Sequence, residues 1–165
     1  MVRAWLRASV CVLVAALFGC GSDSRESILS NSNNLVAEVA TSAGNIKSRV
    51  EEFVRKKDNK DDEGAKKELD EAIAEARKLE ETARKLQSVA SRASSLAPLT
   101  AEEKKTYLEK SKARINTTRD DLITSHREMK KTLAEANAKY EDALKPLMTE
   151  LSKAEGEFAA IVRRK

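Results

Sequence analysis

Few side chains in this sequence have the type and setting to do chemistry. His126 is the only histidine, so one chain cannot assemble a histidine-based triad, dyad or multi-histidine metal site. It lies between Leu122 and Met129 at helical spacing, where a polar residue sets register or titrates in an interface. The acidic pairs Asp61-Asp62 and Asp120-Asp121 are adjacent. Their side chains therefore diverge, whereas carboxylate catalysis needs a converging pair, and they read as solvated surface. Gly44, Gly64 and Gly156 are isolated, so no phosphate-cradling loop is present. These residues predict no enzyme, no metal and no cofactor. Two reactive groups remain: the thiol of Cys20, at the border between an apolar run and Gly21-Ser22-Asp23-Ser24, and the amine of Lys165 in the terminal run Arg163-Arg164-Lys165.

The segment before Cys20 explains its setting. Arg3 and Arg7 give a basic start, and the run from Ala8 to Phe18 is apolar except for Ser9. A membrane-spanning helix needs about 20 apolar residues, so this run is too short. A basic start, a short apolar stretch and a small-residue exit describe a secretory signal peptide. The exit, Leu17-Phe18-Gly19-Cys20, resembles the lipobox of bacterial lipoproteins. That resemblance implies that residues 1–19 are removed and that Cys20 becomes an acylated N-terminus. Each buried methylene of its chains would add about 0.8 kcal/mol of membrane affinity. Because Gly21 is not an aspartate, it further implies the outer membrane, with the body facing the periplasm. An ordinary signal peptide or an uncleaved anchor is the alternative.

Without residues 1–19 the chain has one cysteine, and an exported protein with no cysteine pair has no disulfide framework. Over the full chain Lys and Arg number 31 and Asp and Glu 27; Arg3 and Arg7 fall in the leader, leaving 29 against 27. The charges alternate in sign, so the basic stripe of a nucleic-acid binder is absent. Abundant Ala, Glu, Lys, Leu and Arg with little Gly or Pro is the composition of long helices and coiled coils.

The expected fold is all-α: a long antiparallel helical hairpin plus a longer third helix, packed as a coiled-coil bundle. Residues 20–34, rich in Ser and Asn, read as a lipidated N-terminus and flexible tether, and residues 35–165 as the helical domain. Val36, Val39, Ala43, Ile46, Val50 and Phe53 alternate spacings of three and four, an a/d seam on a helix over 35–57. Lys56 to Gly64 has no apolar member and reads as a loop. Leu69, Ala72, Ala76, Leu79, Ala83, Leu86, Ala90 and Ala93 form the seam of a helix over 65–96, and their small size favours close antiparallel pairing. Pro98 biases Ala97 out of helical geometry, and Thr100 with Glu103 makes a capping box that opens a helix over 101–163.

The third helix would be roughly 95 Å long, about twice the second. With short loops, successive helices run antiparallel, and the first two would cover the third only to about residue 133. Leu144, Leu147, Leu151, Phe158 and Ile161 would then project as an apolar interaction stripe, which usually marks an interface, for a homo-oligomer or a helical protein partner. A stutter at Ala136-Tyr140-Leu144 and Pro146 predict a kink near 142–146. The alternative is a break near 137–146 that folds the remainder back as a fourth helix.

The basic end Arg163-Arg164-Lys165 resembles that of the murein lipoproteins, long coiled-coil helices of the outer membrane. The resemblance implies covalent attachment of Lys165 to peptidoglycan, with Cys20 at the membrane end. Complementing the helix macrodipole explains the same residues without attachment. The expected function is thus a membrane-anchored envelope lipoprotein with a structural, spacer or scaffold role. The alternative is a periplasmic partner-binding or chaperone-like helical module.

Overall fold

In a computed structural model of the chain, the backbone is described for residues 22–94 and 100–163. The leader with Cys20, the linker 95–99 and the terminal Lys165 lie outside the described residues. The first helix, α1, spans Ser22–Asp58 and the second, α2, spans Asp62–Ser94. The third helical segment, Ala101–Arg163, contains one non-helical residue, Tyr140 (φ −134°, ψ 41°). It divides there into α3 (residues 101–139) and α4 (residues 141–163).

Cross-helix pairs fix the directions. Arg49 meets Glu71 at 2.6 Å and Lys57 meets Asp62 at 2.6 Å, so α1 and α2 are antiparallel. Between α1 and α3 the pairs Asn34–Arg114, Glu51–Thr132 and Asp58–Tyr140 have sequence separations of 80, 81 and 82, a constant offset that makes these helices parallel. Between α2 and α4, Arg77 meets Glu150 at 3.6 Å and Arg84 meets Glu157 at 3.2 Å, again rising together. The chain therefore runs up, down, up and down, an all-α four-helix bundle, and α4 returns toward the end at which α1 begins.

This corrects the expectation of an overshooting third helix. Leu144, Leu147 and Phe158 are fully buried, and Leu151 and Ile161 nearly so. The stripe is the inner face of α4. An uncovered stripe of this length would leave several large side chains in water, each worth about 1.5–3 kcal/mol when buried; folding back covers them within the chain. The reversal comes at Tyr140, inside the 137–146 interval of the fold-back alternative and upstream of the kink expected at 142–146, and Pro146 sits exposed inside α4. The tether expectation is also corrected, since α1 already begins at Ser22.

The predicted seams are otherwise where the core lies. Val36, Val39, Ala43, Ile46, Val50 and Phe53 are buried on α1, as are Ala72, Ala76, Leu79, Ala83 and Leu86 on α2. The buried face of α1 is wider than a two-position seam, because Leu35 and Ala40 are buried too. A helix with two neighbours in a bundle needs this wider stripe. The expected loop at 56–64 shrinks to residues 59–61, since the helices continue to Asp58 and resume at Asp62.

That turn is made by backbone bonds. Asp61 N–H donates to Lys56 O at 2.9 Å and Lys60 N–H to Lys57 O at 3.0 Å, the paired bonds of a Schellman motif. Lys60 occupies the left-handed position with φ 62°, which usually goes to glycine. Asp61 then caps α2, accepting from Gly64 N–H at 2.9 Å. The capping box expected for the third segment is present: Thr100 N–H donates to Glu103 Oε2 at 2.9 Å, and Glu103 N–H to Thr100 Oγ1 at 3.3 Å.

Lys60→Gly is expected to stabilise the protein by about 1 kcal/mol, read as a higher urea midpoint with an unchanged slope. Leu147→Ala is expected to cost about 2–5 kcal/mol in the same assay; a cost near zero would mean that α4 is not packed as described.

Candidate functional site

Residues 126–137 of α3 and 148–155 of α4 line a groove of about 200 Å³. Its floor is made by His126, Met129, Leu133 and Leu151, all buried. Its rim carries Lys130, Ala134, Asn137 and Met148, with Ser152 and Glu155 on the α4 side. The i, i+3, i+4 pattern 126, 129, 130, 133 places the α3 members on one face, and 148, 151, 152, 155 does the same on α4.

The electrostatics follow from this placement. His126 is 3% exposed. Burial, reinforced by the positive charge of Lys130, lowers its pKa from 6.5 to about 4. The carboxyl of Glu155, half-buried in the same groove, is pushed up by burial, while Lys130 pulls it down. A neutral histidine, a poorly solvated carboxyl and one ammonium group thus share a cleft whose other polar lining residues are Asn137 and Ser152. A histidine that takes a proton only near pH 4 is a weak base at neutrality, and general-base catalysis works best with a pKa near the operating pH. The arrangement suits binding, with apolar walls and a few orienting polar groups. It is smaller than the roughly 300 Å³ at which most ligand pockets begin.

The other polar groups serve the fold. Glu68, 7% exposed, accepts from Lys56 Nζ and Arg49 Nη1, both at 2.8 Å. These bonds, Lys56 first, hold its carboxyl below the usual range against the opposing effect of burial. Asp61 is a helix cap, Asp62 pairs with Lys57, and Asp120 and Asp121 are exposed. Among the described residues no group of three His, Cys, Asp or Glu could hold a metal ion. Among the same residues, no helix is long and apolar enough to cross a membrane.

Of the residues singled out in the sequence, His126 is in the groove and Leu151 forms part of its floor. Leu144, Leu147, Phe158 and Ile161 lie in the core, and Cys20 and Lys165 fall outside the described residues. Sequence reasoning missed Lys130 and Glu155. On a continuous helix His126 and Glu155 would stand roughly 45 Å apart, and only the fold-back alternative places them on one groove. The stutter at Tyr140 was the signal that could have joined them. No protein-family model, curated protein or solved structure matches the chain.

The histidine makes stability depend on pH with a definite sign. Its folded pKa lies below the ordinary value, so folding favours the neutral form. That contribution is intact above pH 6.5 and is lost as the pH falls toward 4, an effect of about 3 kcal/mol. Glu155 acts in the opposite sense, because its raised carboxyl favours the protonated form as the pH falls. His126→Leu is expected to remove most of the stability lost by the wild type between pH 6.5 and 4, measured as urea midpoints across that range. Parallel pH profiles for the two proteins would show that His126 does not titrate from a buried site.

Proposed function

We propose that this chain is a lipid-anchored protein of the bacterial envelope whose four-helix body acts as a binding module held close to a bilayer. The observation that carries the proposal is a juxtaposition. The lipobox-like Leu17-Phe18-Gly19-Cys20 is followed almost at once by α1, which starts at Ser22. Acylation of Cys20 would therefore place the bundle directly against the headgroups rather than on a long leash. Several acyl chains on one residue give firm anchoring where a single chain gives only marginal binding. Gly21 in place of an aspartate favours the outer membrane and the periplasmic side.

The fold-back favours a module over a spacer. A spacer between membrane and wall needs its ends far apart, and α4 instead brings the C-terminal residues back toward the start of α1. Attachment of Lys165 to peptidoglycan thereby loses the geometric argument that recommended it, and so does oligomerisation through an exposed distal stripe. Binding is supported by the α3–α4 groove, whose Met129 and Met148 are the adaptable apolar side chains that binding surfaces favour.

Cys20→Ser tests the anchor. In a host that processes lipoproteins, the wild type is expected to incorporate labelled palmitate and to lose residues 1–19, as read by intact mass. The variant is expected to incorporate none and to accumulate as the uncut precursor. A wild-type protein cut at another position, or one carrying a free thiol at Cys20, would remove the basis for an envelope role.

A further inference from the structure

The segment joining α3 to α4 is a single non-helical residue, Tyr140, within a run that has no glycine or proline from 138 to 145. A break in a helix interrupts its backbone hydrogen-bond ladder, and straightening restores it. Residue types at the reversal itself, Ala138 to Glu141, therefore favour helix through position 140, and Pro146, already inside α4, lies beyond it. Contacts with the tip of α1 hold the bend instead. The Tyr140 hydroxyl donates to Asp58 Oδ1 at 2.5 Å, its ring meets Phe53 edge-on with centroids 5.6 Å apart, and Lys139 Nζ lies 3.5 Å from Asp58.

We propose that straightening at Tyr140 lets this protein form a domain-swapped dimer, in which α4 of each copy fills the α4 position of the other. A second copy is the occupant that the surfaces specify. Once α4 leaves, it carries Leu144, Leu147, Leu151 and Phe158 into water, and the site it vacates is shaped for those same side chains. The charges match as well, since Arg77 and Arg84 on α2 take Glu150 and Glu157 from whichever α4 is present. Every α4 contact seen within one chain is remade between two, which is why swapping costs little beyond association. The dimer loses the Tyr140–Asp58–Phe53 contacts and gains, in each copy, a helix that continues through residue 140. The seam that must open is also the one with the groove, so α4 is less tightly held on its α3 side than a fully packed helix would be.

The test uses residues 20–165 with Cys20→Ser, which retain every described helix and every core residue. The protein is unfolded, refolded at high concentration and examined by sedimentation, with circular dichroism to verify helicity. Asp58→Ala removes the acceptor from an exposed position and leaves the core intact. It is expected to raise the dimer-to-monomer ratio roughly tenfold, and Tyr140→Ala is expected to raise it further. Inserting Gly-Ser-Gly-Ser after Tyr140 in either variant is expected to return it to monomer, because a flexible joint lets α4 fold back and cannot continue a rigid helix. Helical, monomeric Asp58→Ala protein at every concentration overturns the proposal. So does a dimer that persists unchanged with the insertion, because an ordinary surface dimer would not respond to the joint.

Discussion

A helix with one apolar face is stable in water only when that face is covered, and here one molecule must supply the cover four times. The condition is tightest for the last helix. The side chains from Leu144 to Ile161 are large, and the first two helices are too short to shield them if the third continues straight. Nearly everything else in the fold answers to that requirement. α1 carries a stripe broad enough for two neighbours, α2 uses alanines so that axes approach closely, and α3 bends at the point where α1 ends.

Much of this was legible from residue spacing. The a/d positions of α1 and most of those of α2 are buried, Leu69 and Ala90 only in part, and the Thr100–Glu103 capping box stands where its residue types required it. These features are local, so periodicity and capping chemistry are enough to find them. The reversal was not legible in the same way. Ala138, Lys139, Tyr140 and Glu141 carry none of the usual turn chemistry, and intrinsic propensity favours continuing the helix through them. What bends the chain is tertiary: an aromatic edge from Phe53, a carboxylate from Asp58 and the burial of a stripe that begins only at Leu144. The stutter marked the neighbourhood, whereas Pro146, the conventional breaker, lies inside α4.

The same non-local event hid the groove. His126 and Lys130 could be placed on one face by spacing, but Glu155 joins their groove only after the chain turns. The protonation behaviour of His126 follows from burial and from Lys130 one turn further along the same helix, whereas Glu155 reaches the groove only through the reversal. At the other turn, the backbone accepted Lys60 in a left-handed conformation because two carbonyls of α1 needed donors there. The motif was satisfied with a side chain that does not favour it.

Because the chain enters and leaves the bundle at one end, the opposite pole is made of the 59–61 turn and the Tyr140 corner. A pull applied between the two chain ends would peel the helices apart like a zipper, breaking a few contacts at a time. A straight rod under the same pull would load its contacts together and resist far more. The molecule is thus poorly suited to bearing tension along its own sequence.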